Sequence, residues 1–151
     1  MVVDTSKESF SDRILDAVIQ IVFRFCVLVI PVHEYGHLIS LRLMGYAGEI
    51  RSTMLNATWP LEYHLMSPTE RTIFFLSGGF FQAFVFGVLC LFNVDEESSL
   101  ANKIIVIQGV LYGLAEGFFP YEFLGVGGII ALLVSFVFMV YVFMRWSRRA
   151  P

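Results

Sequence analysis

Two stretches of this chain, residues 73–92 and 123–144, run for 20 and 22 residues without one charged side chain. A helix of about 20 residues crosses the hydrocarbon core of a bilayer, and few other structures satisfy their own backbone there. Both stretches therefore predict membrane spans. Two further apolar segments accompany them. Residues 14–44 are interrupted by Asp16, Arg24, Arg42 and a His-Glu-His cluster, while residues 104–119 carry only Glu116. Hydrophobic residues make up 57% of the chain and charged ones 15%, against roughly 25% charged in soluble domains. The expected architecture is an all-α integral membrane protein with about four transmembrane helices in a single membrane-embedded domain spanning 1–151.

The rest of the chain subdivides around these spans. Residues 1–13 form a polar tail of mixed charge, unlike the basic start of a cleaved signal peptide, so the first span is expected to be retained. Residues 45–70 form a connector, in which alternation in "EIRSTML" and "LEYHLM" predicts short strands, either a hairpin-like or a re-entrant segment. Ser67-Pro68-Thr69-Glu70 has the pattern of a capped helix start. Gly109, Gly113 and Gly117 recur every fourth residue, a spacing that lets membrane helices approach closely. Residues 145–151 form a basic tail. Arg145, Arg148 and Arg149, together with Lys7 and Arg13 before the first span, favour cytoplasmic N- and C-termini. The net charge of −3 gives no basic patch for nucleic acid. Cys26 and Cys90 lie in apolar runs and read as buried hydrophobes rather than a disulfide pair.

The cluster itself is "IPVHEYGHLISL". An imidazole or carboxylate is costly to remove from water unless something pairs with it, and ionisable residues inside a membrane are functional candidates by default. His33-Glu34-Tyr35-Gly36-His37 fits the pattern H-E-x-x-H. On a helix, positions four apart lie about 40° apart around the axis and about 6 Å along it. Two imidazoles so placed can hold one Zn2+ from a single face. Zinc lowers the pKa of water, and Glu34, next to the first ligand, can take the proton and pass it to a leaving amine. Pro31 removes a backbone donor and frees the Val27 carbonyl, which predicts a kink or local unwinding just before the cluster. Gly36 removes bulk beside His37, so another helix or a substrate backbone can come close.

With these residues in view, the chain resembles the site-2 protease family of intramembrane zinc metallopeptidases. "VHEYGHLISLRLMGY" is similar to that family's H-E-x-G-H membrane helix, with Arg42 and Gly45 following as basic residue and glycine. "TERTIFFLSGGFFQAFVFG" is similar to its next core helix, with Gly79 where a proline is usual. "EGFFPYEFLGVGGIIALL" is similar to the Asn-x-x-Pro … Asp-Gly-Gly region that opens its last core helix. The likeness covers residues 14–140 and brings no recognisable PDZ or other soluble domain. It implies a metalloendopeptidase that hydrolyses peptide bonds in or near transmembrane segments of membrane proteins, through a zinc-activated water with Glu34 as general base.

In that family an aspartate just before the glycines is the third zinc ligand. Here Gly125 or Val126 falls at that position, depending on whether Pro120 or Gly127-Gly128 anchors the alignment, and neither can bind zinc. A catalytic zinc needs three protein ligands and an open position. Glu122 is the leading substitute, because a carboxylate at the mouth of the last helix keeps the ligand type. Glu116 is the next candidate and His64, in the connector, the third. The expected metal set is His33, His37 and Glu122. Asn56 and Gln82 could bond a substrate carbonyl or a developing oxyanion. The missing aspartate also motivates an alternative, a non-catalytic relative that binds or chaperones membrane helices.

Overall fold

A computed structural model describes residues 10–52, 56–92, 95–118 and 124–148. The chain is mostly helical. Among the described residues, three helices, Asp12–Leu43, Pro68–Phe92 and Glu96–Phe118, are long and apolar enough to cross a membrane. The first consists of α1 (Phe10–Arg24), a π-helical turn (Phe25–Val29) and α2 (Ile30–Leu43). The π turn sits where the sequence predicts a defect. Pro31 has no N–H to give the Val27 carbonyl, and the wider π pitch takes up the mismatch. Gly45 ends α2 in the left-handed region at φ +84°, with Tyr46 N–H bonded to Leu41 O and Gly45 N–H to Arg42 O. That is a Schellman stop, which suits a residue without Cβ.

The connector folds as an antiparallel hairpin of β1 (Gly48–Ser52) and β2 (Asn56–Pro60). The first strand lies where alternation predicts it. The second precedes the predicted "LEYHLM", whose Tyr63–Leu65 is a 3-10 turn. Leu61 N–H bonds Ala47 O, so pairs alternate from there and Gly48↔Pro60 falls in the set without ladder bonds. Pro60 therefore costs the ladder nothing. Helix α3 (Pro68–Leu89) starts with the predicted capping box: Glu70 N–H donates to Ser67 Oγ and Ser67 N–H to the Glu70 carboxylate. Helices α4 (Glu96–Phe118) and α5 (Leu124–Ser147) complete the chain.

Helices α3 and α4 cross at glycines. A Cβ on Gly79 would strike the backbone of Gly109 and Gly113, and one on Gly113 would come within 3.0 Å of Leu76 O. Two of the predicted four-spaced glycines thus set this crossing, and Gly117 packs on Leu76. At the other end of the bundle, Arg13 reaches Glu96 and Glu97 at 2.8 Å each, and its guanidinium lies 5.3 Å from the Trp146 ring. The start of α1 and the end of α5 therefore share one end of the molecule. Large apolar side chains such as Leu15, Phe23, Phe84 and Val137 face outward, as lipid-solvated surfaces do.

Candidate metal centre

The buried polar cluster lies near the hairpin end, where α2, α3 and α4 meet. Two absent side chains make that meeting possible. A Cβ on Gly36 would come within 2.6 Å of Phe81 Cβ and 2.7 Å of Ser77 O, so the close approach expected of Gly36 is made by α3. A Cβ on Gly78 would lie 2.7 Å from His33 Nε2 and closer still to His37 Nε2. Glycine at 78 keeps the space between the two rings open.

His37 Nδ1 lies 2.7 Å from the carbonyl oxygen of Phe74. A carbonyl can only accept, so Nδ1 carries the hydrogen and the neutral ring turns a lone pair out at Nε2. Metal-binding histidines are commonly oriented by such a bond from the other ring nitrogen. His37 Nε2 lies 3.0 Å from His33 Nε2. Glu116, from α4, brings its Oε2 to 3.2 Å from His33 Nε2 and 3.7 Å from His37 Nε2. The ring of Tyr112, one turn earlier on α4, meets His33 edge-on at 5.3 Å.

Oε2 of Glu116 is buried and has no hydrogen-bond partner. A proton shared between the two rings would satisfy them and leave Oε2 orphaned. One cation at the centre takes a lone pair from all three. At metal–ligand distances of about 2.0–2.1 Å, tetrahedral ligands stand about 3.3–3.4 Å apart. The observed separations of 3.0, 3.2 and 3.7 Å straddle that spacing. The donors, two imidazoles and one carboxylate, are those zinc takes in hydrolytic sites. The residues present therefore fit the metal.

Glu34 stands apart from the three ligands. Its Oε2 accepts the backbone N–H of Thr58 at 2.5 Å, and its carbonyl accepts the Thr58 hydroxyl at 2.9 Å. Of the candidate third ligands, Glu122 lies outside the described residues, Glu116 completes the cluster, and His64 is exposed in the 3-10 turn away from it. The side chain of Asn56 is also outside the described set. Gln82 is only 1% exposed, and its amide nitrogen is held by Ile105 O and Gln108 Oε1. It ties α3 to α4 and, being buried, does not face a substrate. Three contributors carry little sequence signal. The Phe74 carbonyl is backbone, Thr58 is an ordinary strand residue, and Tyr112 is one aromatic among many. Gly78 is visible as part of the Ser77-Gly78-Gly79 run.

Compared with protein-family models, curated proteins and solved structures, the chain has no match in any of the three.

Gly78→Ala is expected to abolish zinc uptake while the helices stay folded, because the new methyl meets movable rings and not backbone. Metal content and far-UV circular dichroism of the purified variant check this. Full zinc content in Gly78→Ala would show that the ion does not sit between the two Nε2 atoms.

Proposed function

We propose that the chain is an intramembrane zinc endopeptidase of the site-2 protease type, cleaving peptide bonds in or near transmembrane segments of membrane proteins. One observation carries the reading. Three metal-ligating atoms from two membrane-length helices converge within 4.8 Å in an apolar bundle, with Glu34 adjacent in sequence to the first ligand. His33, His37 and Glu116 would hold the ion. This replaces Glu122 as the favoured third ligand, since an orphaned oxygen already faces both imidazoles. Zinc, when bound, supplies the Lewis acidity that polarises a carbonyl and lets water lose a proton near neutral pH.

The chain's own groups do the rest. Glu34 takes the proton as the water oxygen adds to the carbonyl carbon, then returns it to the nitrogen as the C–N bond breaks. The carboxylate is close to the ligands by sequence and is not one of them, which suits a base better than a fourth ligand. Phe74 O fixes the tautomer of His37. The packing of α3 on α4 brings Glu116 to the imidazoles.

In this reading α5 is the fourth span, and the contact of Arg13 with Trp146 supports a start of α1 and an end of α5 on one side of the membrane. The basic residues at both ends make that side cytoplasmic. The site then lies toward the opposite face, near the hairpin. A substrate helix must unwind to expose its carbonyl, and the hairpin offers an extended surface beside the site. The test uses the full chain in proteoliposomes with single-span transmembrane peptides. Removal of zinc by 1,10-phenanthroline is expected to abolish cleavage, and added zinc to restore it. Cleavage that survives complete zinc removal would exclude this mechanism.

A further inference from the structure

Strand β2 meets the motif helix through Thr58. The ladder explains how. Because Leu61 N–H bonds Ala47 O, the pairs Glu49↔Trp59 and Arg51↔Ala57 belong to the hydrogen-bonded set and Ile50↔Thr58 to the other. The N–H of Thr58 therefore points off the outer edge of the hairpin, away from β1. There it finds Oε2 of Glu34 at 2.5 Å, while the Thr58 hydroxyl donates to the Glu34 carbonyl at 2.9 Å. Thr58 is 9% exposed although its neighbour Trp59 is 48% exposed. Of these two neighbours, the one that meets α2 is the buried one.

We propose that Thr58 is the positioning residue of Glu34, with its outward backbone N–H fixing the direction of the carboxylate that follows His33 in sequence. A glutamate on a helix has several free torsions, and holding it in one direction costs side-chain entropy. A hydrogen bond from N–H to a carboxylate is strong enough to offset that. The hydroxyl contact fixes the height of β2 on α2, so the N–H meets the carboxylate and not another turn of the helix. Docking of the hairpin and orientation of the base become one event. This inference rests on the proposed role of Glu34 as base, and the test separates the two.

The first arm needs no metal: amide hydrogen exchange at Thr58 in wild type, Glu34→Gln and Glu34→Ala. Glutamine still offers an oxygen, so protection is expected to persist in Glu34→Gln. In Glu34→Ala exchange should rise roughly tenfold or more. Equal protection in Glu34→Ala and wild type would overturn the proposal. The second arm compares Thr58→Pro with Thr58→Val in hydrolysis of a transmembrane peptide. Proline removes the N–H without costing the ladder a bond, whereas valine keeps it. Thr58→Pro is expected to lower kcat by roughly 100-fold, with KM and zinc content unchanged, and Thr58→Val to recover most of that loss. Equal loss in both variants, or a loss of zinc with kcat, would make Thr58 structural and overturn the positioning role. Wild-type protein that holds no zinc and cleaves nothing would instead overturn the proposed function, while the exchange arm still decides whether Thr58 holds Glu34.

Discussion

Glu34→Gln is expected to lower peptide hydrolysis by about 10²–10⁴-fold, the usual contribution of a positioned general base, with zinc still bound. The separation of effects follows from geometry. Glu34 is not among the three atoms that converge on the metal position, so the substitution leaves His33, His37 and Glu116 intact. The glutamine amide is nearly isosteric, and its oxygen can still accept the Thr58 N–H, so the hairpin should stay docked. What is lost is the ability to take a proton. Single-turnover cleavage of a transmembrane peptide, alongside metal analysis of the same sample, measures both quantities. A variant that keeps full zinc and wild-type turnover would remove Glu34 from the reaction.

Glu116→Ala should produce the opposite pattern. It removes one of the three proposed ligands, and the expected loss of zinc affinity is about 100-fold or more, exceeding the 10–100-fold typical of an outer partner. The metal-free protein should not suffer. Oε2 of Glu116 is buried without a well-aligned hydrogen bond and faces imidazoles at 3.2 and 3.7 Å, so without a cation its desolvation cost is only partly offset. Truncating it should leave thermal stability in detergent unchanged or raised when zinc is absent, and lower it relative to wild type when zinc is present. A variant that unfolds more readily without zinc yet binds the ion as tightly as wild type would show that Glu116 is structural. The third ligand would then lie elsewhere.

Local features were readable from the sequence because their causes are local. The capping box at Ser67 and the helix defect before Pro31 each follow from a few adjacent residues. So does the proximity of His33 and His37, which needs only a helix. The apolar runs at 14–44, 73–92 and 104–119 marked the three membrane-length helices found among the described residues. Glu116 was visible as an expensive residue in an apolar segment, but its partners lie on another helix. Bringing it to them requires the glycine crossing of α3 and α4 at Gly79, Gly109 and Gly113. Spacing suggests such a crossing without fixing which helix supplies its other side. The second strand was misplaced because Leu61 to Met66 alternates as a strand would, while Pro60 and the turn at Tyr63–Leu65 end the hairpin earlier. Phe74 acts through its carbonyl and Thr58 through its N–H, and no side-chain pattern reveals either.

The most direct test of the metal centre is X-ray absorption at the zinc edge of the purified full chain, with His37→Ala and Glu116→Ala for comparison. The account predicts one zinc per chain in wild type, with two imidazole nitrogens and carboxylate oxygen at about 2.0–2.2 Å. One imidazole should be missing in His37→Ala, and occupancy should fall in both variants. Wild-type protein without bound zinc after zinc-replete purification, or a zinc shell without two imidazoles, would contradict it.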